Sequence, residues 1–119
     1  MSAARSKGTA LETLATNYLA TRLGDDRIMR MPLHGKHDRG DIAGIRTVLG
    51  EKVAVEVKNH KRMDLGTWLR EAEVERGNAD AAVAVVLHKR HGKATPEHQL
   101  VTMTLADFAV LLGADKEPS

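Results

Sequence analysis

The sequence predicts one domain of the α/β class, with helices packed on a mixed (α+β type) sheet in the order α-β-β-β-α-β-β-α. Three patterns predict this architecture: apolar residues at helical spacing in two segments, a nearly continuous apolar run, and a valine-rich pair of strands around a turn. A chain of 119 residues has the length of a single domain. We expect residues 1–119 to form it, with flexible ends at residues 1–6 and 114–119.

The first predicted helix has apolar residues at helical spacing, namely Leu11, Leu14, Ala15, Tyr18 and Leu19. Thr9 is a candidate N-cap, and Gly24 follows the last turn. Glu12 then fits a capping box, in which its carboxylate accepts a hydrogen bond from the Thr9 amide. A short strand is expected at residues 27–33, followed by a polar loop at residues 34–40.

Residues 39–59, "RGDIAGIRTVLGEKVAVEVKN", predict a β-hairpin. Successive side chains of a strand point to opposite faces, so Val53, Val55 and Val57 face one way and Ala54, Glu56 and Lys58 the other. Register is set by keeping the apolar residues together, which places Ala43 opposite Glu56 and Asp41 opposite Lys58. We therefore expect Asp41, Glu56 and Lys58 on one face of the hairpin.

A second helix is predicted at residues 64–76, with Trp68 in its apolar stripe as a core residue, and "GNAD" at residues 77–80 breaks the pattern. The run "AAVAVVL" at residues 81–87 predicts a strand that is buried on both faces of the sheet. A last strand is expected at residues 99–103.

The final predicted element is a short helix at residues 104–112, with Thr104 as N-cap and Gly113 as stop. His60, His88, His91 and His98 are expected at the surface or at strand edges. Zinc binding by His34 and His37 is disfavoured, because their spacing is loose and the chain has no cysteine.

Two carboxylates and a lysine on one face of a hairpin indicate a cation site. Magnesium prefers oxygen ligands and often takes one or two carboxylates, which Asp41 and Glu56 would supply. A metal there can polarise a phosphoryl oxygen and ionise a bound water. Lys58 can orient that water or neutralise developing charge. The alternative interpretation is an ordinary cross-strand salt bridge on an exposed face.

Composition narrows the class of protein. Hydrophobic residues make up 42% and charged residues 29% of the chain, as in a globular protein, and its net charge is +2. The absence of cysteine excludes disulfides and a cysteine nucleophile. Since the sequence lacks a long apolar run, we expect a cytoplasmic protein with no membrane contact. Basic residues cluster at positions 30–62 and 89–93, which fits either a polyanion partner or a solvated surface.

Asp41-Ile42 and Glu56-Val57-Lys58 together resemble the signature of the PD-(D/E)XK nuclease superfamily, with Gly40 where that signature has proline. The segments "KGTALE" at residues 7–12 and "RGDI" at residues 39–42 resemble archaeal-type Holliday junction resolvases. The segment from Trp68 to Gly92 is similar to small resolvases of actinobacterial phages. The resemblance covers about residues 7–93.

This resemblance implies a restriction-endonuclease-like αβββαβ core, with the last strand and short helix as additions. It implies a homodimer that nicks a four-way DNA junction symmetrically with Mg²⁺, for which Mn²⁺ substitutes, in a bacterial cytoplasm. The dimer surface could be a continuation of the sheet or the apolar side of the helix at residues 64–76. Alternatives are a nuclease for flaps, ends or duplex DNA, and a non-catalytic DNA-binding or dimerisation module.

The same resemblance assigns roles to individual residues. Asp41, Glu56 and the main-chain carbonyl of Val57 would bind the metal, and Lys58 would be the catalytic lysine. Glu12 would join the catalytic residues by holding a metal-bound water. A glutamine that many members carry on the second helix is absent from residues 64–76. The expected DNA-binding residues, from the resemblance and from the basic clusters, are Arg5, Lys7, Lys36, Arg39, Lys61, Arg62, Lys89 and Arg90.

Overall fold

The computed structural model describes residues 3–32 and 40–116, with side chains from Lys7 onward. Its elements follow the predicted order: helix α1 (Ala3–Leu23), strands β1 (Met29–Arg30), β2 (Ile42–Ala43) and β3 (Val53–Lys58), helix α2 (Leu65–Ala79), strands β4 (Val83–His88) and β5 (Leu100–Thr102), and helix α3 (Leu105–Leu111). In the described residues no helix is long and apolar enough to cross a membrane.

The central sheet is mixed and has the order β3-β4-β5. Strands β3 and β4 run parallel, in a register that pairs Val53 with Val83 and Lys58 with His88. Strand β5 runs antiparallel to β4. Strands β1 and β2 form a separate antiparallel pair. Three helices and this mixed sheet confirm the coarse fold class.

The two faces of the sheet are covered by different helices. One core cluster joins the β3 valines and alternate β4 residues to α1 and α3, through Leu11, Ala15 and Val110. The other cluster packs Trp68 and Ala72 of α2 on Ala84 and Val86 of β4. Strand β4 is buried along its whole length, as predicted. Trp68 and Ala72 on the apolar side of α2 lie on the sheet, so these two residues are not exposed for a dimer contact.

Both long helices extend beyond their predicted limits. Helix α1 begins at Ala3, ahead of the predicted N-cap Thr9. Thr9 therefore lies inside the helix and is not its N-cap. Helix α2 continues through "GNA" and ends where Asp80 adopts a left-handed conformation (φ 52°), donating its amide to the last carbonyls. The C-terminal helix has the predicted cap, with the Thr104 side chain accepting from the Asp107 amide.

The predicted hairpin register is wrong. Strand β2 pairs with β1, Met29 opposite Ala43, and the described bridge to the β3 side joins Arg46 and Lys52. The physical reason lies at Gly44, which has φ 89° and lies so close to the residues just before β1 that a Cβ there would be 2.5 Å from the Arg27 carbonyl oxygen. Asp41 lies beside Val55 and Val57 instead, so it does not lie opposite Lys58.

Candidate functional site

Asp41 is bonded to the edge of β3 by two hydrogen bonds. Its amide donates to the Val55 carbonyl at 2.7 Å, and its Oδ2 accepts from the Val57 amide at 2.7 Å. The N–H and C=O of one strand residue point to the same edge. The Val57 carbonyl therefore faces the edge on which Asp41 lies, and two of the expected metal ligands are neighbours.

Gly40 permits this close approach. It is buried, has φ 103°, and a Cβ there would lie 3.1 Å from the Val55 carbonyl oxygen. A side chain would be strained by the positive φ and would press on the β3 backbone. Gly40 is thus the residue that lets Asp41 reach β3.

Glu56 and Lys58 share the face of β3 that α2 covers, as the alternation predicts. Lys58 Nζ lies 3.6 Å from Glu56 Oε1 and 3.1 Å from Glu71 Oε1 of α2. The side chains of Lys58 and Glu56 are only 14% and 10% exposed, whereas that of Glu71 is 50% exposed. Lys58 therefore bridges one enclosed and one solvated carboxylate.

The two carboxylates decide the protonation state of Lys58. Burial alone would lower the pKa of Lys58, but the charges and hydrogen bonds of Glu56 and Glu71 outweigh burial and raise that pKa above its ordinary value. Lys58 is accordingly an ammonium at neutral pH. It can donate hydrogen bonds and stabilise negative charge, but it cannot serve as a general base.

The donor set fits a hard divalent cation. Asp41, which precedes β2, bonds to the Val57 amide of β3, and Glu56 is the β3 residue that precedes this amide. Two carboxylates and a main-chain carbonyl are oxygen ligands of the kind that magnesium takes together with water. Within residues 3–32 and 40–116, no group of three or more His, Asp or Glu side chains is placed to hold a metal.

Glu12 reaches the strand pair that carries Asp41. Its Oε2 lies 3.2 Å from Arg30 Nε of β1, and the pair is partly exposed. Arg30 pairs with Ile42, and the Met31 amide donates to the Asp41 carbonyl at 2.8 Å. The capping-box interpretation of Glu12 is wrong, because its carboxylate bonds across to β1.

Basic residues collect at the carboxyl ends of the parallel strands β3 and β4. Lys61 and Arg62 follow β3 and are exposed, while Lys89 and Arg90 follow β4. The loops touch each other: the Lys89 amide donates to the Lys58 carbonyl at 3.1 Å, and the His91 ring bonds the His60 carbonyl at 2.8 Å.

Helix α1 adds a further basic residue at this end, because the Asn59 side chain donates to the Lys7 carbonyl at 3.4 Å. The expected residues Lys36 and Arg39, the side chain of Arg5, and the histidines His34 and His37 lie outside the described part of the chain. We call Lys7, Lys61, Arg62, Lys89 and Arg90 the basic rim.

Two residues of this region were missed or misplaced by the sequence. The contact of Glu71 with Lys58 is not predicted by the sequence, because the spacing of apolar residues does not fix how α2 is rotated on the sheet. His88, expected at the surface or at a strand edge, is 2% exposed and lies on the central strand β4. Its Nε2 lies 2.8 Å from Thr102 Oγ1, and its ring packs against Trp68 with centroids 5.5 Å apart. Its place at the end of the apolar run "AAVAVVL" was the available signal for burial.

No family model matches this chain, and neither a curated protein nor a solved structure matches it.

Proposed function

We propose that this chain is a divalent-metal-dependent DNA endonuclease with a restriction-endonuclease-like αβββαβ core, and specifically a Holliday junction resolvase. The observation that carries the proposal is the hydrogen bond of the Asp41 carboxylate to the Val57 amide, next to Glu56 and its ion pair with Lys58. The resemblance of "KGTALE", "RGDI" and "EVK" to resolvases supports the choice within the superfamily.

In this proposal Asp41, Glu56 and the Val57 carbonyl hold Mg²⁺ or Mn²⁺. The bound cation would polarise the phosphodiester and lower the pKa of a coordinated water. Lys58, which stays charged, donates hydrogen bonds to the attacking water or to the phosphate oxygens. Glu12 supplies a further carboxylate on the β1 side of the same region.

The basic rim supports a nucleic acid as the substrate. Phosphate contacts from lysine and arginine position a duplex without reading its sequence. Stacking on exposed aromatic rings is a minor element here, since the chain has one Trp, one Tyr and one Phe, and Trp68 is buried. Recognition by backbone charge and shape suits a branched DNA, and two symmetric cuts in a bacterial cytoplasm would be made by a homodimer.

The direct test is cleavage of a synthetic four-way junction in Mg²⁺. Asp41→Asn, Glu56→Gln and Lys58→Ala are each expected to abolish cutting and to keep junction binding. Glu73→Gln is the matched control, since Glu73 lies on α2 but pairs with Arg76. Unchanged cutting by the three variants would contradict the proposal. A panel of flaps, ends and linear duplex tests the substrate, and equal cutting of linear duplex would favour a nuclease of different specificity.

A second candidate function is a non-cleaving DNA-binding or dimerisation module. It is favoured by the bridge from Lys58 to Glu56 and Glu71, which compensates the acids without a metal. Calorimetric titration with Mn²⁺ separates the two functions. A heat of Mn²⁺ binding that disappears in Asp41→Asn favours the nuclease. An absence of Mn²⁺ binding, even with junction DNA present, favours the non-cleaving module.

A further inference from the structure

Lys58 has two anionic partners from different elements. Glu56 is its neighbour on β3, and Glu71 approaches from α2, the latter at the shorter distance of 3.1 Å against 3.6 Å. The Lys58 side chain is 14% exposed, so its ammonium is largely removed from water. An ammonium in such a position is costly when it loses its partner.

Both partners matter because Glu56 cannot serve Lys58 and a metal ion equally well. A carboxylate that binds a divalent cation gives up part of its interaction with a neighbouring ammonium. If Glu56 were the only partner, metal binding would leave Lys58 enclosed and uncompensated. A second carboxylate on an independent helix removes that conflict.

We propose that Glu71 is a positioning residue that holds the Lys58 ammonium from the α2 side, so that Glu56 can turn to a divalent cation while Lys58 stays in place. This inference rests on the proposed function, because it concerns the same site. Glu71 thereby has a role at the candidate site that its place in the sequence does not reveal.

Loss of the Glu71 carboxylate should weaken metal binding through Lys58. In Glu71→Ala, the ammonium turns fully to Glu56 and competes with the metal. Glu71→Gln keeps an oxygen acceptor for Lys58, so its Mn²⁺ affinity should lie between those of Glu71→Ala and the unsubstituted chain. If Glu71 acts through Lys58, neither substitution of Glu71 should alter Mn²⁺ affinity in a chain that also carries Lys58→Met.

The test is a double-mutant cycle read by calorimetric titration with Mn²⁺ on the full chain. Glu71→Ala should weaken Mn²⁺ binding about tenfold with Lys58 present, and less than about twofold in the Lys58→Met background, as expected for contacting charges. Glu73→Ala is the matched control: it removes a carboxylate of α2 that is 57% exposed and pairs with Arg76, and it should leave Mn²⁺ affinity unchanged.

Junction cleavage gives a second readout. Glu71→Ala should lower kcat and leave KM for the junction within about twofold, since Lys58 acts on the reacting groups rather than on DNA affinity. An equal loss of Mn²⁺ affinity in both Lys58 backgrounds would overturn the inference, because Glu71 would then act only by its charge. Failure of the proposed function is a different result, in which the unsubstituted chain shows no Mn²⁺ binding that Asp41→Asn removes.

Discussion

The Asp41 carboxylate bonds to the Val57 amide, with Oδ2 2.7 Å from that nitrogen. Asp41 immediately precedes β2, and this contact binds its carboxylate to the edge of β3. The Asp41 amide bonds to the same edge, at the carbonyl of Val55, two residues before Val57. The acid is thus held by the backbone of the strand that carries Glu56 and Lys58, and its position does not depend on the flexibility of a long side chain.

Two substitutions of Asp41 should differ in their effect on stability but not in their effect on junction cleavage. Asp41→Ala deletes the acceptor of the Val57 amide and is expected to lower the free energy of unfolding by about 1–3 kcal/mol. Asp41→Asn keeps a carbonyl acceptor and should lose less than half as much, while losing nuclease activity just as completely. Urea unfolding and junction cleavage measure the two effects. Equal stability of the alanine variant and the unsubstituted chain would show that the hydrogen bond contributes nothing to folding.

Gly40→Ala should be destabilising for two reasons, a positive φ and a close contact with the β3 backbone. Gly50→Ala provides the control, because Gly50 also has a positive φ (86°) but its added Cβ would meet nothing within 4 Å. The conformational cost alone is about 1–2 kcal/mol, so Gly50→Ala should lose about that much. Gly40→Ala should lose more and should also weaken cutting, since it displaces Asp41. Equal losses of stability in urea unfolding would contradict the steric argument.

His88 should make the fold less stable in mild acid. Burial lowers the pKa of His88 below its ordinary value. Above about pH 6.5 the ring is neutral in both the folded and the unfolded chain. As pH falls below that value, the unfolded chain binds a proton that the folded chain resists, so stability falls by up to about 1.4 kcal/mol per pH unit until the folded pKa is reached.

Unfolding in urea at pH 7.5, 6.5 and 5.5 checks this dependence on His88. His88→Gln should remove it, because the amide can still bond Thr102 but does not titrate in this range. His98→Gln, at an exposed position, should leave the pH dependence in place. If the free energy of unfolding falls equally with pH in the His88→Gln chain and the unsubstituted chain, groups other than His88 cause the acid sensitivity.

Single alanine substitutions in the basic rim should weaken DNA binding without selecting among sequences. Each lost phosphate contact is expected to reduce the slope of log affinity against log salt by about 1. Arg62→Ala and Arg90→Ala, measured in an Asp41→Asn background, test this. Arg22→Ala is the control, since Arg22 lies in the last turn of α1, about 22 Å along the helix from Lys7. An equal effect of Arg22→Ala would show that the charge is not localised to the rim.

The sequence predicted the order of elements because apolar periodicity is a local signal. It also predicted that Glu56 and Lys58 share a face, since alternation along β3 requires nothing beyond the strand itself. It failed at the register of β2, which depends on the positive φ and close backbone contacts of Gly44 and on the pairing of β2 with β1. It also did not predict that Glu71 contacts Lys58. That contact depends on the rotation of α2 about its axis, which the packing of Trp68 and Ala72 on the sheet determines.

The side chains of β3 point to two faces with different contacts, and this arrangement predicts how substitutions along the strand should differ in effect. The valines at positions 53, 55 and 57 point into the core with α1 and α3, while Glu56 and Lys58 point towards α2. A mutational scan along the strand should therefore alternate between chains that do not fold and chains that fold but lack activity. If the proposed function holds, substitutions at Glu56 and Lys58 would change the chemistry of the site without disturbing the core that the valines form.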